Sequence, residues 1–214
     1  KSLHQRQQTI LNIAKEIVVL PGGNPVVLLQ WANAFGQASD DYDLYLADPG
    51  GTIIAASEGE QNGDDVPFEV VTVDTTGLVN PTTLLVAVNR FAGAARRLEL
   101  YYTGGVLAID PATAAGSIPG HANASGAITV GTINADDPGT DTIAPYSSQG
   151  PCDLFFPAPE TRAKPDITGI DAVAVTGAAG FPSPFFGTSA AAPHVAGIAA
   201  LVVGAKPSLA PGQV

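Results

Sequence analysis

The apolar residues of this chain follow two different patterns, and the change between them near Gly104 constrains the fold more than any other feature. Before this point apolar and polar residues alternate, as in "DYDLYLAD" (residues 41–48), which is typical of half-buried antiparallel strands. After it the apolar residues form short continuous runs such as "GAITVGTI" and "DAVAVTG", which are typical of strands buried on both faces of a parallel sheet. The sequence therefore predicts two units, residues 1–105 and residues 106–214.

The first unit is predicted to be a small antiparallel β-sandwich or jelly-roll module. The stretches "FEVVTVD", "TLLVAVNRF" and "RRLELYY" repeat the alternating pattern. The segments "DPGGT", "EGEQNGDD" and "TTGLVNP" between the alternating stretches supply the Gly, Asn, Asp and Pro residues that tight turns require. Several short strands at regular spacing favour a sandwich.

The second unit is predicted to be part of an α/β domain with a parallel sheet. Its short apolar runs are followed by "VAGIAALVVG", which is apolar nearly all round and therefore predicts a buried helix. The single cysteine, Cys152, excludes an intrachain disulfide, and its role in the loop after Pro151 stays open.

The charge of the chain bears on its partners. The formal net charge of −11 argues against nucleic acid and against an anionic membrane surface, because both are bound through Lys and Arg. No apolar run is expected to be long enough to span a membrane. Hydrophobic residues make up 45% of the chain, so a sizeable core is expected.

Ser189 is the candidate functional residue, because "GTSAAAPHVAG" places it at the mouth of the predicted helix. A nucleophilic serine needs an exposed turn and N–H donors aimed at the developing oxyanion, and a helix N-terminus supplies such donors. A plain N-cap role, worth about 1 kcal/mol, is the alternative that the pattern leaves open. The G-x-S-x-G elbow is absent, because Ala191 follows two residues after the serine.

The sequence "GTSAAAPHVAG" resembles the nucleophile signature of subtilisin-like serine peptidases, the subtilases. The stretches "ASGAITVGTINADD", "APYSSQGP" and "RAKPDI" match earlier segments of that family in the family's order, so the resemblance spans residues 116–214. It implies a polypeptide substrate, a secreted or cell-surface location, and Ser189 as the attacking residue, with its own N–H in the oxyanion hole. It also implies that residues 127–132 and 147–150 support the substrate-binding side of the site.

The chain departs from the family at the other catalytic positions. An Asp in D-[ST]-G, a His in H-G-[TS] and an oxyanion Asn are all missing. His4 and His121 lack the required context, and Asn89 lies inside the alternating module. His194 lies five residues after the serine on the same helix, and at about 100° per residue it points away from the serine, so a packed helix histidine is expected. The family's K-P-D-x-x-A-P-G segment is altered to "KPDITGIDAV".

We therefore expect this chain to be the C-terminal half of a subtilisin-like catalytic domain that carries an inserted β-module. The missing N-terminal half would be its partner, and the chain alone would be inactive because Ser189 lacks its base. The alternative is a non-catalytic binding or adhesion module attached to a degenerate peptidase core.

The aromatic and acidic residues of the β-module bear on its partners and cofactors. Trp31, Tyr101 and Tyr102 are predicted to pack in the core and not to form a binding face. Subtilases often carry calcium, so the acidic residues are possible ligands. Calcium is the less favoured hypothesis and no other cofactor is expected, because the spacing fits no EF-hand and alternate aspartates on a strand are predicted to face water. The acidic residues are Asp40, Asp41, Asp43 and Asp48.

Overall fold

The structure is a computed structural model that describes residues 14–110, 113–177 and 180–214. The described residues up to 110, together with Phe155–Pro159, form one compact unit. Thr113–Leu154 and Glu160–Val214 form the second. Strands dominate the first unit, and the second contains short strands and the one α-helix present among the described residues.

The first unit contains eight strands in two antiparallel sheets. Five of them form a sheet in the order β4-β3-β6-β1-β8, and three form a sheet in the order β5-β2-β7. The strands are β1 (Ala14–Val19), β2 (Val26–Trp31), β3 (Asp41–Ala47), β4 (Ile53–Ser57), β5 (Phe68–Thr72), β6 (Thr82–Ala92), β7 (Leu98–Thr103) and β8 (Val106–Asp110).

Side chains from both sheets share one hydrophobic core. Leu44 and Leu46 of β3 point into it, as the alternation in the sequence predicts, and both are fully buried. Trp31 is 3% exposed, and its ring lies 5.2 Å from that of Tyr42, centroid to centroid. The predicted core role of Trp31 is therefore confirmed, and Tyr102 packs against the same cluster.

The alternate aspartates of β3, Asp41 and Asp43, do not face water, and this prediction was wrong. Asp40, Asp41 and Asp43 are all buried. The Asp43 carboxylate accepts a hydrogen bond of 3.1 Å from the Asn89 amide on the neighbouring strand β6. A buried carboxylate is tolerated where donors surround it, and here the adjacent strand supplies one.

The strand β8 lies beyond the predicted boundary between residues 105 and 106. It pairs antiparallel with β1 and therefore belongs to the first unit by its hydrogen bonds. The patterning change at Gly104 marks the turn between β7 and β8, and the compact second unit begins at Thr113.

The second unit holds a parallel strand pair covered by the helix. β9 (Val130–Asn134) and β12 (Ile167–Asp171) pair in parallel, and α1 (Thr188–Ala205) contacts both strands. β10 (Cys152–Leu154) and β11 (Glu160–Arg162) form a short antiparallel pair. Two 3₁₀ turns lie at Gly120–Asn123 and Pro211–Gln213.

The α/β prediction needs two corrections at the strands. Within the described residues the parallel sheet consists of two strands only. The run "DAVAVTG" is not a strand, because β12 ends at Asp171 and Ala172 then turns the chain with a φ of 57°. β12 is not buried on both faces either, since Ile167 and Ile170 are exposed.

The helix is far more exposed than its composition predicts. Only Ala190 and Ala191 are buried, and Leu201 is 75% exposed. The prediction of a buried helix was wrong for the chain as it stands, because two strands provide too little surface to cover an apolar helix. By length and composition alone this helix is also able to span a membrane, contrary to the expectation from sequence.

Candidate active site at the helix N-terminus

Ser189 is the second residue of α1, and it is exposed. The N-cap position is held by Gly187, so the serine is not the N-cap residue. The Gly187 carbonyl accepts hydrogen bonds from the N–H groups of Ala190 and Ala191 at 2.9 and 3.3 Å. The Ser189 N–H lies in the first turn, where the N–H groups have no acceptor within the helix. A hydroxyl and an N–H donor thus stand together at the positive end of the helix dipole.

Gly187 turns the chain into the helix with a φ of 96°. This left-handed value favours glycine, because a Cβ atom makes it strained. The nearest atom to a Cβ built there would be the Ser189 nitrogen at 3.9 Å, so space is not the restriction. The requirement for glycine before the serine is therefore conformational.

Asp171 holds the peptide that leads to the serine. It is the last residue of β12 and is fully buried. Its Oδ2 accepts hydrogen bonds from the Gly187 N–H at 2.6 Å and from the Tyr146 hydroxyl at 2.7 Å. The hydrogen bond to Asp171, then burial and the negative charge of Asp171, raise the pKa of Tyr146 to about 12. Sequence reasoning noted the altered segment that contains Asp171 but gave the residue no role.

The segment between Asp171 and Gly187 is tied at its base. Val173 and Phe185 exchange two backbone hydrogen bonds of 3.3 and 2.8 Å. The rings of Phe181 and Phe185 lie 4.9 Å apart, centroid to centroid. These contacts fix where the chain returns from β12 to the helix.

The K-P-D segment anchors the start of the parallel strand pair. The Lys164 ammonium donates to the Ala127 carbonyl and to Asp166 Oδ2, both at 2.7 Å. The Thr129 N–H donates to the same carboxylate oxygen at 2.7 Å. Burial alone would raise the pKa of Asp166, but the hydrogen bonds from Lys164 and Thr129 and the Lys164 charge bring it below its usual value.

The two segments that the resemblance places on the substrate side lie together. The Thr132 N–H donates to Ser147 Oγ at 3.1 Å, and both residues are buried. The structure thus connects residues 127–132 with residues 147–150. Their role in binding a substrate stays a prediction.

The helix approaches β12 closely at Gly169. A Cβ atom built on Gly169 would lie 2.7 Å from the Ala191 carbonyl oxygen and 3.1 Å from a Val195 methyl group. Only glycine leaves room for the helix backbone at this distance. The helix end that carries Ser189 is therefore positioned by backbone-to-backbone contact.

The histidines are placed as follows. His194 is exposed, so the expectation of a packed histidine was wrong; its Nδ1 lies 2.9 Å from the Ala190 carbonyl oxygen and 3.1 Å from that of Ile170. Within the described chain it makes no hydrogen bond with Ser189. His121 lies exposed in a 3₁₀ turn, and His4 falls outside the described residues.

Asn89 and Cys152 belong to different secondary-structure elements from Ser189. Asn89 belongs to β6 of the first unit, where it donates to Asp43. Cys152 is buried at the start of β10, opposite Arg162.

The acidic residues of the first unit accept hydrogen bonds from donors of the protein, and calcium binding there stays untested. Among the described residues, no three carboxylate, imidazole or thiol side chains converge as a metal ion would require. The Asp40 carboxylate accepts from the Asn33 amide, from the Ala94 N–H and from Arg96. Asp48 accepts from the N–H of Thr52 at 2.8 Å. These carboxylates already serve as acceptors for the protein's own donors.

The protein-family model described as the subtilase family matches residues 28–214. No curated protein matches the chain. The matched range contains the helix, the parallel strand pair and the serine described above.

Proposed function

This chain belongs to the subtilase family, and from that premise we propose that Ser189 is the nucleophile of a serine endopeptidase. The observation that carries the proposal is the exposed serine in the first turn of α1, where its own N–H has no acceptor within the helix. A helix N-terminus is suited to an oxyanion, because its N–H groups and dipole both favour negative charge.

The proposed reaction is acyl transfer to water. A histidine accepts the Ser189 proton as the serine oxygen attacks the peptide carbonyl, and an aspartate orients that histidine. The Ser189 N–H donates to the oxyanion that forms. The histidine then gives its proton to the leaving amine, and the acyl-enzyme remains. Water, deprotonated by the same histidine, attacks the ester carbonyl; the bond between the acyl carbon and the serine oxygen breaks, the histidine returns its proton to that oxygen, and the acid is released.

The histidine, the aspartate and the oxyanion asparagine are proposed to lie on polypeptide outside these 214 residues. The sequence contains no D-[ST]-G and no H-G-[TS]. The exposed apolar side chains of the second unit support the same proposal, because they need a covering surface. They include Ile167 and Ile170 of β12 and Ile198 and Leu201 of α1. We propose that the missing half of the catalytic domain covers these side chains. Lipid is the less suitable cover, because the exposed apolar side chains lie on strand β12 as well as on the helix.

The first unit is proposed to be an inserted β-sandwich module. Two antiparallel sheets that share one core support this, and the pairing of β8 with β1 moves the proposed end of the module from residue 105 to residue 110. A secreted or cell-surface location is proposed on the family alone.

The test is proteolysis by the parent protein with Ser189→Ala. We expect kcat to fall by several powers of ten, because the serine and its base act as one unit. Ser208→Ala, an exposed serine beyond the helix, is the matched control and should leave kcat unchanged. The isolated chain should give no measurable turnover. Clear Ser189-dependent hydrolysis by the isolated chain would show that the account of the missing base is wrong.

The alternative function is a binding or adhesion module on a degenerate peptidase core. This alternative is supported by the absence of D-[ST]-G and H-G-[TS] from this sequence. The sequence of the parent ahead of Lys1 decides between the two. If both motifs are present there, the peptidase is supported. If both are missing, the degenerate core is favoured.

A further inference from the structure

We propose that Asp171 is a positioning residue for Ser189, an inference that rests on the proposed function. The residue is fully buried at the end of β12, and its carboxylate receives the N–H of Gly187, two residues before the serine. The K-P-D segment of this chain departs from the family pattern at this point, with "GID" in place of A-P-G. The family resemblance therefore assigns the carboxylate no role.

The Gly187 residue is held on both sides. Its N–H donates to Asp171 at 2.6 Å, and its carbonyl accepts from Ala190 and Ala191 of the first helical turn. Glycine can adopt many backbone conformations. The hydrogen bond to the Asp171 carboxylate favours the one observed, in which Gly187 has a φ of 96°. The backbone that carries the Ser189 hydroxyl and N–H is thereby fixed, which matters because a displacement of about 1 Å costs roughly a hundredfold in rate.

The same carboxylate oxygen connects the serine loop with a second segment. The Tyr146 hydroxyl donates to it at 2.7 Å, and the next residue, Ser147, accepts the Thr132 N–H of β9. Asp171 thus links two segments by hydrogen bonds, the one that leads into α1 at Gly187 and the one that contains Tyr146 and Ser147. Tyr146 itself is 51% exposed.

A purely structural role accounts poorly for this carboxylate. Its Oδ1 is buried and has no hydrogen-bond partner among the described residues. A buried charge that is only partly satisfied is costly, and an apolar residue at the end of a strand would avoid that cost. The following residue, Ala172, adopts a φ of 57°, which is strained for a residue other than glycine. Such local costs concentrate at functional sites.

The experiment compares Asp171→Ala and Asp171→Asn in the parent protein. Active sites are counted by titration with a fluorophosphonate, and kcat is expressed per titrated site. We expect Asp171→Ala to lower kcat roughly ten- to a hundredfold with KM within about twofold, since the loss is one of serine geometry. Asp171→Asn should keep most of the rate, because its amide oxygen accepts both hydrogen bonds. Glu160→Gln, which removes a surface carboxylate of the same unit, is the control.

A second measurement requires no activity. In the isolated chain, the Gly187 amide should be protected from hydrogen exchange in the wild type and in Asp171→Asn and should exchange rapidly in Asp171→Ala. If Asp171→Ala does not fold, Asp171→Ser carries the same tests, because its shorter side chain withdraws the acceptor and stays polar.

The outcomes separate the inference from the proposed function. Unchanged kcat per titrated site in Asp171→Ala, with fewer sites, would mean a structural role and overturn the inference. Equal losses in the Ala and Asn variants would also overturn it, since acceptance of the hydrogen bonds would not be what matters. If Ser189→Ala leaves proteolysis intact, the proposed function itself fails. If Ser189→Ala abolishes proteolysis while Asp171→Ala matches the wild type, only the role of Asp171 fails.

Discussion

The substitution Gly169→Ala tests whether close packing of the helix on β12 places the serine. A Cβ atom would lie 2.7 Å from the Ala191 carbonyl oxygen, whereas an ordinary carbon–oxygen contact is about 3.3 Å. The helix must therefore move by about 0.6 Å, the difference between the two distances. Crowding of this kind costs about 1–3 kcal/mol. Because Ala191 is fully buried two residues after Ser189, the shift reaches the nucleophile.

The assay is urea unfolding of the chain, followed by circular dichroism at the helix band, together with the fluorophosphonate labelling rate of the parent. We expect Gly169→Ala to lower the free energy of unfolding by about 1–3 kcal/mol and to slow labelling. Gly197→Ala is the matched control, since Gly197 lies in α1 and no atom lies within 4 Å of the added Cβ. It should stabilise the helix by about 0.5–1 kcal/mol. A Gly169→Ala protein with unchanged stability and unchanged labelling would refute the reasoning.

Three further predictions concern stability and titration. Leu44→Ala, at a fully buried core position, should cost about 2–5 kcal/mol, measured by urea unfolding with the buried Trp31 as the fluorescent probe; a loss below about 1 kcal/mol would contradict the assigned core. The pKa of Asp166 is lowered in the native state, so its contribution to stability is present above the ordinary carboxyl pKa of about 4 and is lost as pH falls through the native value. Asp166→Asn should remove this part of the acid dependence in a comparison of unfolding free energies between pH 7 and pH 3, and an unchanged slope would contradict it. Ultraviolet titration should show Tyr146 ionising with a pKa of about 12, and Asp171→Asn should lower that pKa.

The strands of the first unit could be predicted well from the sequence, because alternation is a local signal. The segments assigned to β3, β5, β6 and β7 all form strands close to the predicted places. The burial of Asp43 could not be predicted in the same way. It depends on Asn89, which lies 46 residues later and meets Asp43 only when β3 and β6 pair.

The strands and helix of the second unit were harder to predict, because apolar composition does not show which run enters the sheet. "KPDITGID" contains the strand and "DAVAVTG" does not, since β12 ends at Asp171 and the chain turns at Ala172. The exposure of α1 could not be read from its composition either. An apolar helix is buried only where other polypeptide covers it.

In the candidate site, too, local features could be predicted from the sequence and long-range contacts could not. Ser189 could be singled out from a contiguous motif whose chemistry is local to the helix start. Asp171 could not, because its function as an acceptor arises from contacts with Gly187 and Tyr146, which are 16 and 25 residues away along the chain. A polar residue in place of an expected glycine was the only signal available.

The most direct test of the account is the site of covalent labelling in the parent protein. A serine-directed fluorophosphonate is allowed to react, and the modified residue is identified by peptide mapping with mass spectrometry. The account predicts one modification, on the hydroxyl at position 189, which disappears after denaturation before labelling. A modification at another residue, with that hydroxyl left free, would contradict it.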